Sequence, residues 1–277
     1  MQNAMSKVKK SFRWIHCDDI GLDSATSPWI SGSTHARISL FALIFCLACS
    51  AHAQLGNSVK QVIVARAKGW DSSTALLQAY QRNSAREPWQ PVFAQPVPVL
   101  LGRGGMAWGR GVFDPPHNRV PYKIEKDWRA PAGVFQLGTL FGYAAAAPAG
   151  ARWPYHQVGP FDAYIDDPRH PNYNQHVRVD PGNVPPWFAK QKMRLGDAAY
   201  KWMLEIRHNQ RPAAPGYGSA IFFHVRRGPT KPSAGCTTMA EDNLVRLIRW
   251  LSPAASPHYV LLPEAEYQSL RGKWNLP

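Results

Sequence analysis

The chain has 277 residues, which is enough for one large domain or two small ones. Hydrophobic residues make up 45% of it and aromatic residues 12%, so a packed core is possible and a wholly disordered chain is excluded. The formal net charge is +14, yet only 18% of residues are charged and the basic residues form no long run. We therefore predict no nucleic-acid partner, because phosphate binding normally concentrates Lys and Arg on one face.

An apolar run near the N terminus predicts the compartment. Residues 38–49 (ISLFALIFCLAC) are followed by an A-x-A pattern at 51–53. The run is too short to cross a bilayer core of about 30 Å but fits the hydrophobic region of a signal peptide. We predict an N-terminal extension and signal peptide over 1–53, export to the periplasm or cell wall, and no integral membrane segment after signal removal. A buried core helix and a lipid anchor at Cys49 are the alternatives.

Beyond residue 53 the chain is rich in turn-forming residues, and the whole sequence has 25 prolines and 21 glycines. This composition favours short elements over a helical bundle. The stretch 74–82, after an Asp-Ser-Ser cap, predicts a short helix. Strands are predicted at 60–66, 99–101, 131–143 (in pieces), 200–207 and 219–225, and loops at 144–154, 166–174 and 181–186. We predict one mainly β domain over 54–277 with a few short helices.

A second helix is predicted from Glu241 onward. Thr238 and Glu241 have the spacing of a capping box, with Thr238 as the N-cap residue. Pro253 is expected to end the helix. Apolar residues at i, i+3, i+4 and i+7 place one face in the core: Leu244, Leu247, Ile248 and Leu251.

Cysteine usage leaves one thiol to explain. Cys17, Cys46 and Cys49 fall inside the segment predicted for removal, so Cys236 would remain alone. A single cysteine in an exported protein makes no internal disulfide. Its role is then packing as a small apolar residue, intermolecular pairing, or chemistry.

The surroundings of Cys236 favour chemistry. It lies two residues before the predicted N-cap, where the helix N terminus is expected to lower the thiol pKa. His224 ends a predicted strand, and a turn at 226–229 can fold the chain back toward the cysteine. An imidazole beside a thiol performs nucleophilic acyl transfer. Gly235 suits a backbone whose N–H groups face an oxyanion, and Ser233, which lacks a G-x-S-x-G elbow, is expected to supply a supporting hydrogen bond.

Three segments of the sequence resemble motifs of a known family. Residues 223–225 (FHV) followed by 233–236 (SAGC) resemble the H…(S/T)-x-G-C signature of the L,D-transpeptidase catalytic domain, the YkuD family. Residues 123–135 are similar to its K-x-E-x-D-x-R-x-P-x-G-x-F stretch in exported bacterial proteins. Residues 166–174 are similar to its D-D-P…Y-N segment. The resemblance covers most of 62–263.

This resemblance implies a β-sandwich or barrel catalytic domain in the periplasm or wall, with no metal or organic cofactor. The implied substrate is the peptidoglycan stem peptide. Cys236 would attack the carbonyl of the third residue of a tetrapeptide stem, expel the terminal D-alanine and pass the acyl group from its thioester to an amine. His224 would be the base and acid, while Gly235, Ser233 and Val225 would serve the oxyanion and orientation.

Two positions depart from the family pattern. Many members have Ile or Val and then Arg after the nucleophile, whereas this chain has Thr237 and Thr238. Many also have Gly after the histidine, where this chain has Val225. Arg226 and Arg227 are the candidates to replace the missing positive charge against a stem-peptide carboxylate.

Other charged residues carry weaker predictions. Lys123, Glu125, Asp127 and Arg129 alternate in sign, as a mutually paired surface strand does, and we expect a structural role near the site.

No metal site is predicted. Asp166, Asp167, His170 and His176 lack the H-E-x-x-H pattern and paired cysteine ligands.

Two other functions fit the same sequence. Water as the acceptor would make the protein an L,D-carboxypeptidase or a crosslink hydrolase on the same fold. A non-catalytic protein that binds anionic wall polymers through its positive charge is the second alternative.

Overall fold

The computed structural model describes residues 54–117, 119–210 and 212–277. The N-terminal extension and signal peptide predicted for 1–53 lie outside the described residues. Within the described ranges, no helix is both long and apolar enough to cross a bilayer.

Strands make up most of the regular secondary structure of the described residues, as predicted. The strands are β1 (Gln61–Ala67), β2 (Thr74–Gln81), β3 (Gln90–Pro91), β4 (Val97–Leu100), β5 (Met106–Trp108), β6 (Ala130–Gly142), β7 (Tyr155–Gln157), β8 (Asp162–Tyr164), β9 (His176–Arg178), β10 (Trp202–Ile206), β11 (Phe222–Val225), β12 (Thr237–Met239) and β13 (His258–Pro263). The helices are α1 (Phe188–Gln191), α2 (Glu241–Trp250) and α3 (Glu264–Trp274).

The main sheet closes on itself. Its strand order is β1-β13-β6-β10-β11-β12-β4-β2, and β2 pairs back onto β1 in antiparallel register. Strands β3, β5 and β7 extend this ring, whereas β8 and β9 form a separate two-stranded sheet. Closure leaves the ring without free edges, which confirms the predicted barrel-like β fold.

The core fills the ring and the space beneath α2. Strand β1 is buried along almost its whole length because it has strand neighbours on both sides and α3 packs against it. Helix α2 contacts β11 through its apolar face, so the periodicity predicted for this helix is confirmed. The buried residues of that face are Leu244, Leu247 and Ile248, with Leu251 at the C-cap also buried.

The helix predicted over 74–82 is wrong, because this segment forms strand β2. Burial alternates along it, with Leu76 exposed and its neighbours inside, which is the period of a strand. Pairing with β1 and β4 is what closes the ring, so tertiary contacts override the helix-forming composition. The buried residues are Ala75, Leu77 and Ala79.

The predicted start of α2 also needs correction. Thr238 belongs to β12, where it lies opposite His224 on β11, and it does not cap the helix. The N-cap residue is Ala240, which has no side-chain capping bond. The strand pieces predicted over 131–143 form one continuous strand, β6, and the loops predicted at 144–154 and 166–174 are present.

Candidate active site

Parallel pairing of β11 and β12 brings the predicted cysteine and histidine to one place. Phe223 lies opposite Thr237 and His224 opposite Thr238. Cys236 directly precedes this register, and its thiol contacts the Phe222 backbone. Cys236 is two residues before Thr238, the partner of His224, and residues two apart in an extended chain point to the same side, so Cys236 lies on the same side of the sheet as His224.

The thiol of Cys236 is half-buried in an apolar setting. It packs against a cluster that includes Phe141, Met203 and Phe222, and its Sγ lies 3.6 Å from the Ala220 carbonyl oxygen, to which it donates. Burial raises its pKa to about 11, although the Phe222 backbone and two nearby cationic side chains act in the opposite direction.

The lowered thiol pKa predicted from a helix N terminus is therefore wrong. Strand β12 and Ala240 lie between Cys236 and the first turn of α2, and a helix dipole acts only within about one turn of its end. The positive charges that reach the thiol belong to Lys123 and Arg227.

His224 is a buried neutral base, with only 2% of its surface exposed. Its Nδ1 donates to the Val225 carbonyl oxygen at 2.9 Å, which orients the ring and leaves Nε2 as the basic nitrogen. Burial lowers its pKa to about 4, and the Arg227 charge acts in the same direction. Among the hydrogen bonds of the described residues, none joins the imidazole to Sγ of Cys236. The pair therefore rests as a neutral thiol and a neutral imidazole.

Tyr200 lies close to both candidate catalytic residues. Its ring centroid lies 5.1 Å from that of His224, and the pKa of its hydroxyl is raised first by burial and then by the negative charge that Cys236 carries when it is ionised. The Arg227 guanidinium lies 5.0 Å from the Tyr200 ring and pairs with Asp197 at 2.7 Å. No sequence motif predicted a role for Tyr200 or Asp197 at this site. The Asp197 carboxylate accepts a hydrogen bond from the Ala199 N–H and caps the short 3-10 turn Ala198–Tyr200. Asp is a typical N-cap residue, so the sequence could have predicted the start of this turn.

The loop before the cysteine is fixed by Ser233. Its hydroxyl donates to the Cys236 carbonyl oxygen at 2.6 Å and accepts the Gly235 N–H at 3.0 Å. Gly235 has φ +148, and a Cβ there would lie 2.9 Å from the Arg129 carbonyl oxygen, so only glycine fits. The Gly235 N–H is thus bound to Ser233 rather than directed at an oxyanion, which corrects that part of the prediction.

The two candidate substrate-binding arginines diverge. Arg227 lies beside His224 and Tyr200, whereas Arg226 lines a separate groove with Arg66 and Leu100. Arg227 is the one placed to meet a ligand near the thiol.

The charged residues of the 123–135 motif form a paired turn, not an exposed strand. Lys123 is buried and its Nζ lies 2.7 Å from Asp127 Oδ1. The Asp127 carboxylate also accepts the Arg129 N–H at 2.9 Å. The Glu125 carboxylate accepts the hydroxyls of Tyr173 and Ser219, which ties this turn to the loops around the site.

The closed β sheet has a buried histidine on β11 and a cysteine directly before the adjacent parallel strand β12, which defines a mainly β protein with a candidate thiol site. A family model for the L,D-transpeptidase catalytic domain matches residues 70–260, which is more than half of the chain and includes both His224 and Cys236. The chain therefore belongs to the L,D-transpeptidase catalytic domain (YkuD) family, and the resemblance stated from its motifs is confirmed. Comparison with curated proteins and with solved structures gave no match.

Proposed function

We propose that the protein is an exported cysteine L,D-transpeptidase that acts on peptidoglycan stem peptides through a thioester on Cys236. The observation that carries this proposal is the placement of His224 on β11 and of Cys236 directly before the paired strand β12, on the same side of the sheet, in a chain of this family. The half-buried thiol is the only cysteine among the described residues, so the nucleophile has no competitor there.

In acylation, His224 Nε2 takes the thiol proton as Sγ attacks the carbonyl carbon of the third stem residue. The C–N bond to the terminal D-alanine breaks, and the imidazolium returns the proton to the leaving amine. In transfer, an acceptor amine attacks the thioester, His224 takes the amine proton, and the proton passes to the departing sulfur. The carbonyl of Val225 holds the ring orientation throughout.

Arg227 is proposed to bind the donor carboxylate. Its guanidinium is partly exposed, with 36% of the side chain accessible, and it already holds a carboxylate, that of Asp197. A stem-peptide carboxylate would compete with Asp197 for the same donors. Arg226 faces another groove and is the natural control.

Export to the periplasm or cell wall is part of the proposal and rests on the segment 1–53. Fractionation of expressing cells, with mass determination of the recovered protein, tests it. A mature N terminus at Gln54 is the expected result, and a full-length cytoplasmic protein would contradict export.

Intact-mass spectrometry with a tetrapeptide stem tests the catalytic proposal. The wild-type protein should gain the mass of the stem minus D-alanine, and Cys236→Ala should gain nothing. His170→Gln removes a partly exposed imidazole that packs against Trp187, and it serves as the matched control, which should acylate normally. An adduct that persists in Cys236→Ala would overturn the assignment.

Product analysis separates the transferase from the hydrolase. With purified muropeptides, a transferase yields crosslinked dimers, whereas a carboxypeptidase only shortens stems. Salt-sensitive sacculus binding that survives Cys236→Ser, with no turnover in either form, would instead indicate a wall-binding protein.

A further inference from the structure

Two histidines and an aspartate from three strands converge on one point. His156 lies on β7, Asp162 on β8 and His176 on β9. The Nε2 atoms of His156 and His176 lie 3.1 and 2.8 Å from the same carboxylate oxygen, Oδ1 of Asp162. One nitrogen or oxygen atom from each residue lies within 4.8 Å of the other two.

The carboxylate at the centre of this cluster is buried and pre-oriented. Only 4% of the Asp162 side chain is exposed, and its Oδ2 accepts the Gly159 N–H at 2.6 Å, which directs Oδ1 toward the two rings. The histidines are 35% and 25% exposed, which gives an ion access from solvent.

The atoms of the cluster match a metal ligand set. Imidazole nitrogen and carboxylate oxygen are both ligands of Zn²⁺, and tetrahedral bonds of about 2.0–2.1 Å place neighbouring ligand atoms about 3.3 Å apart. The two nitrogen–oxygen distances here are close to that separation. We propose that His156, Asp162 and His176 form a binding site for a divalent transition-metal ion of the Zn²⁺ class, with solvent as the remaining ligand.

A metal ion here would join two parts of the fold. Strand β7 extends the main sheet, whereas β8 and β9 form the separate two-stranded sheet. The Phe141 ring packs against both histidines, with centroid distances of 5.7 and 5.1 Å, and it belongs to the apolar cluster on which Cys236 packs. The ion would therefore brace the small sheet against the barrel on the side of the candidate active site.

Motif spacing did not reveal this site because its ligands are scattered along the chain. Of the four residues considered from the sequence, only His176 takes part. Asp167 pairs with Arg169, and the His170 ring packs against Trp187. The partners of His176 come from other strands and become neighbours only through folding.

Metal binding is tested on the full chain without a histidine tag, with its four cysteines replaced by serine so that no thiol binds the ion. After EDTA treatment and dialysis, Zn²⁺ should bind stoichiometrically, and Co²⁺ should give the visible absorption bands of a tetrahedral site. At a Zn²⁺ concentration about one hundred times Kd, Tm should rise by about 5–10 °C.

Matched variants assign the site. His156→Gln and His176→Gln should each abolish stoichiometric binding, the Co²⁺ bands and the Tm rise, while His170→Gln should retain all three. If the parent protein takes up no Zn²⁺ above the level of His176→Gln, the cluster is a hydrogen-bonded His-Asp-His group and the proposal is overturned. Equal loss of binding in His170→Gln would also refute it. These readouts do not depend on acyl transfer, so they stand apart from the proposed function.

Discussion

The protonation state of the Cys236–His224 pair gives the sharpest prediction. With a thiol pKa of about 11 and an imidazole pKa of about 4, moving the proton from sulfur to nitrogen costs about 10 kcal/mol in the resting protein. Attraction between the resulting charges, even at 4 Å and an effective dielectric constant of 20, returns only about 4 kcal/mol. The neutral pair is therefore favoured by several kcal/mol, and no preformed thiolate is expected at neutral pH.

Alkylation by iodoacetamide measures this directly, because only the thiolate reacts. A variant with a single cysteine, in which serine replaces Cys17, Cys46 and Cys49, should react about tenfold faster for each pH unit between about pH 7 and about pH 10, without a plateau. His224→Gln should leave that profile unchanged, since the imidazole is neutral throughout. The same variant should nevertheless slow acylation by a tetrapeptide by about 10²–10⁴-fold, because the general base is lost.

Two results would refute this reasoning. A rate plateau below about pH 8 would mean that the thiolate is already formed there, as in an ion pair. A His224→Gln profile displaced to higher pH would mean that a protonated imidazole had been stabilising the thiolate. Intact mass after each time point confirms that a single alkyl group is added.

Three further predictions concern substrate binding, the nucleophile loop and acid stability. Arg227→Gln should raise the donor KM with a smaller effect on kcat, measured by D-alanine release, while Arg226→Gln should leave both constants unchanged. Gly235→Ala should lower the free energy of unfolding by about 1–3 kcal/mol in denaturant titrations, because its φ is +148 and its Cβ would meet backbone, whereas Gly228→Ala should have little effect. Burial of His224 lowers the pKa of its imidazole in the folded protein to about 4. Its contribution to the free energy of unfolding, about 3 kcal/mol, is therefore present above pH 6.5 and is lost as the pH falls toward 4. His224→Gln should flatten the decline in stability over that interval, and an unchanged slope would count against the burial argument.

The sequence identified five of the thirteen strands of the described residues, namely β1, β4, β6, β10 and β11, because β-branched and aromatic runs between turn residues favour strands. The sequence missed the short strands with two to six residues and no such run. It failed at 74–82, where Ala, Leu and Gln have helix-forming preferences and only pairing with β1 and β4 imposes a strand. It failed again at Thr238, since the capping-box pattern is local and the pairing of Thr238 with β11 is not. Both errors come from long-range strand pairing.

The site was predicted unevenly for the same reason. His224, Cys236 and the supporting hydrogen bonds of Ser233 lie in short motifs, and the structure brings these residues together. Asp197 and Tyr200 come from a separate loop, and no motif marks them as neighbours of the histidine. Their position follows from the fold alone.

The pKa of the Cys236 thiol stays high because the cationic side chains near it are already paired with carboxylates. Lys123 and Arg227 both favour the thiolate, but each is held by a carboxylate, Asp127 or Asp197, at 2.7 Å. Each carboxylate cancels part of the field of its partner, so burial dominates at Cys236. A donor carboxylate that draws Arg227 away from Asp197 would add one negative charge near the thiol, which disfavours the thiolate. Substrate binding is therefore not expected to form the thiolate by electrostatics alone, and the proton must leave through His224 as the carbonyl arrives.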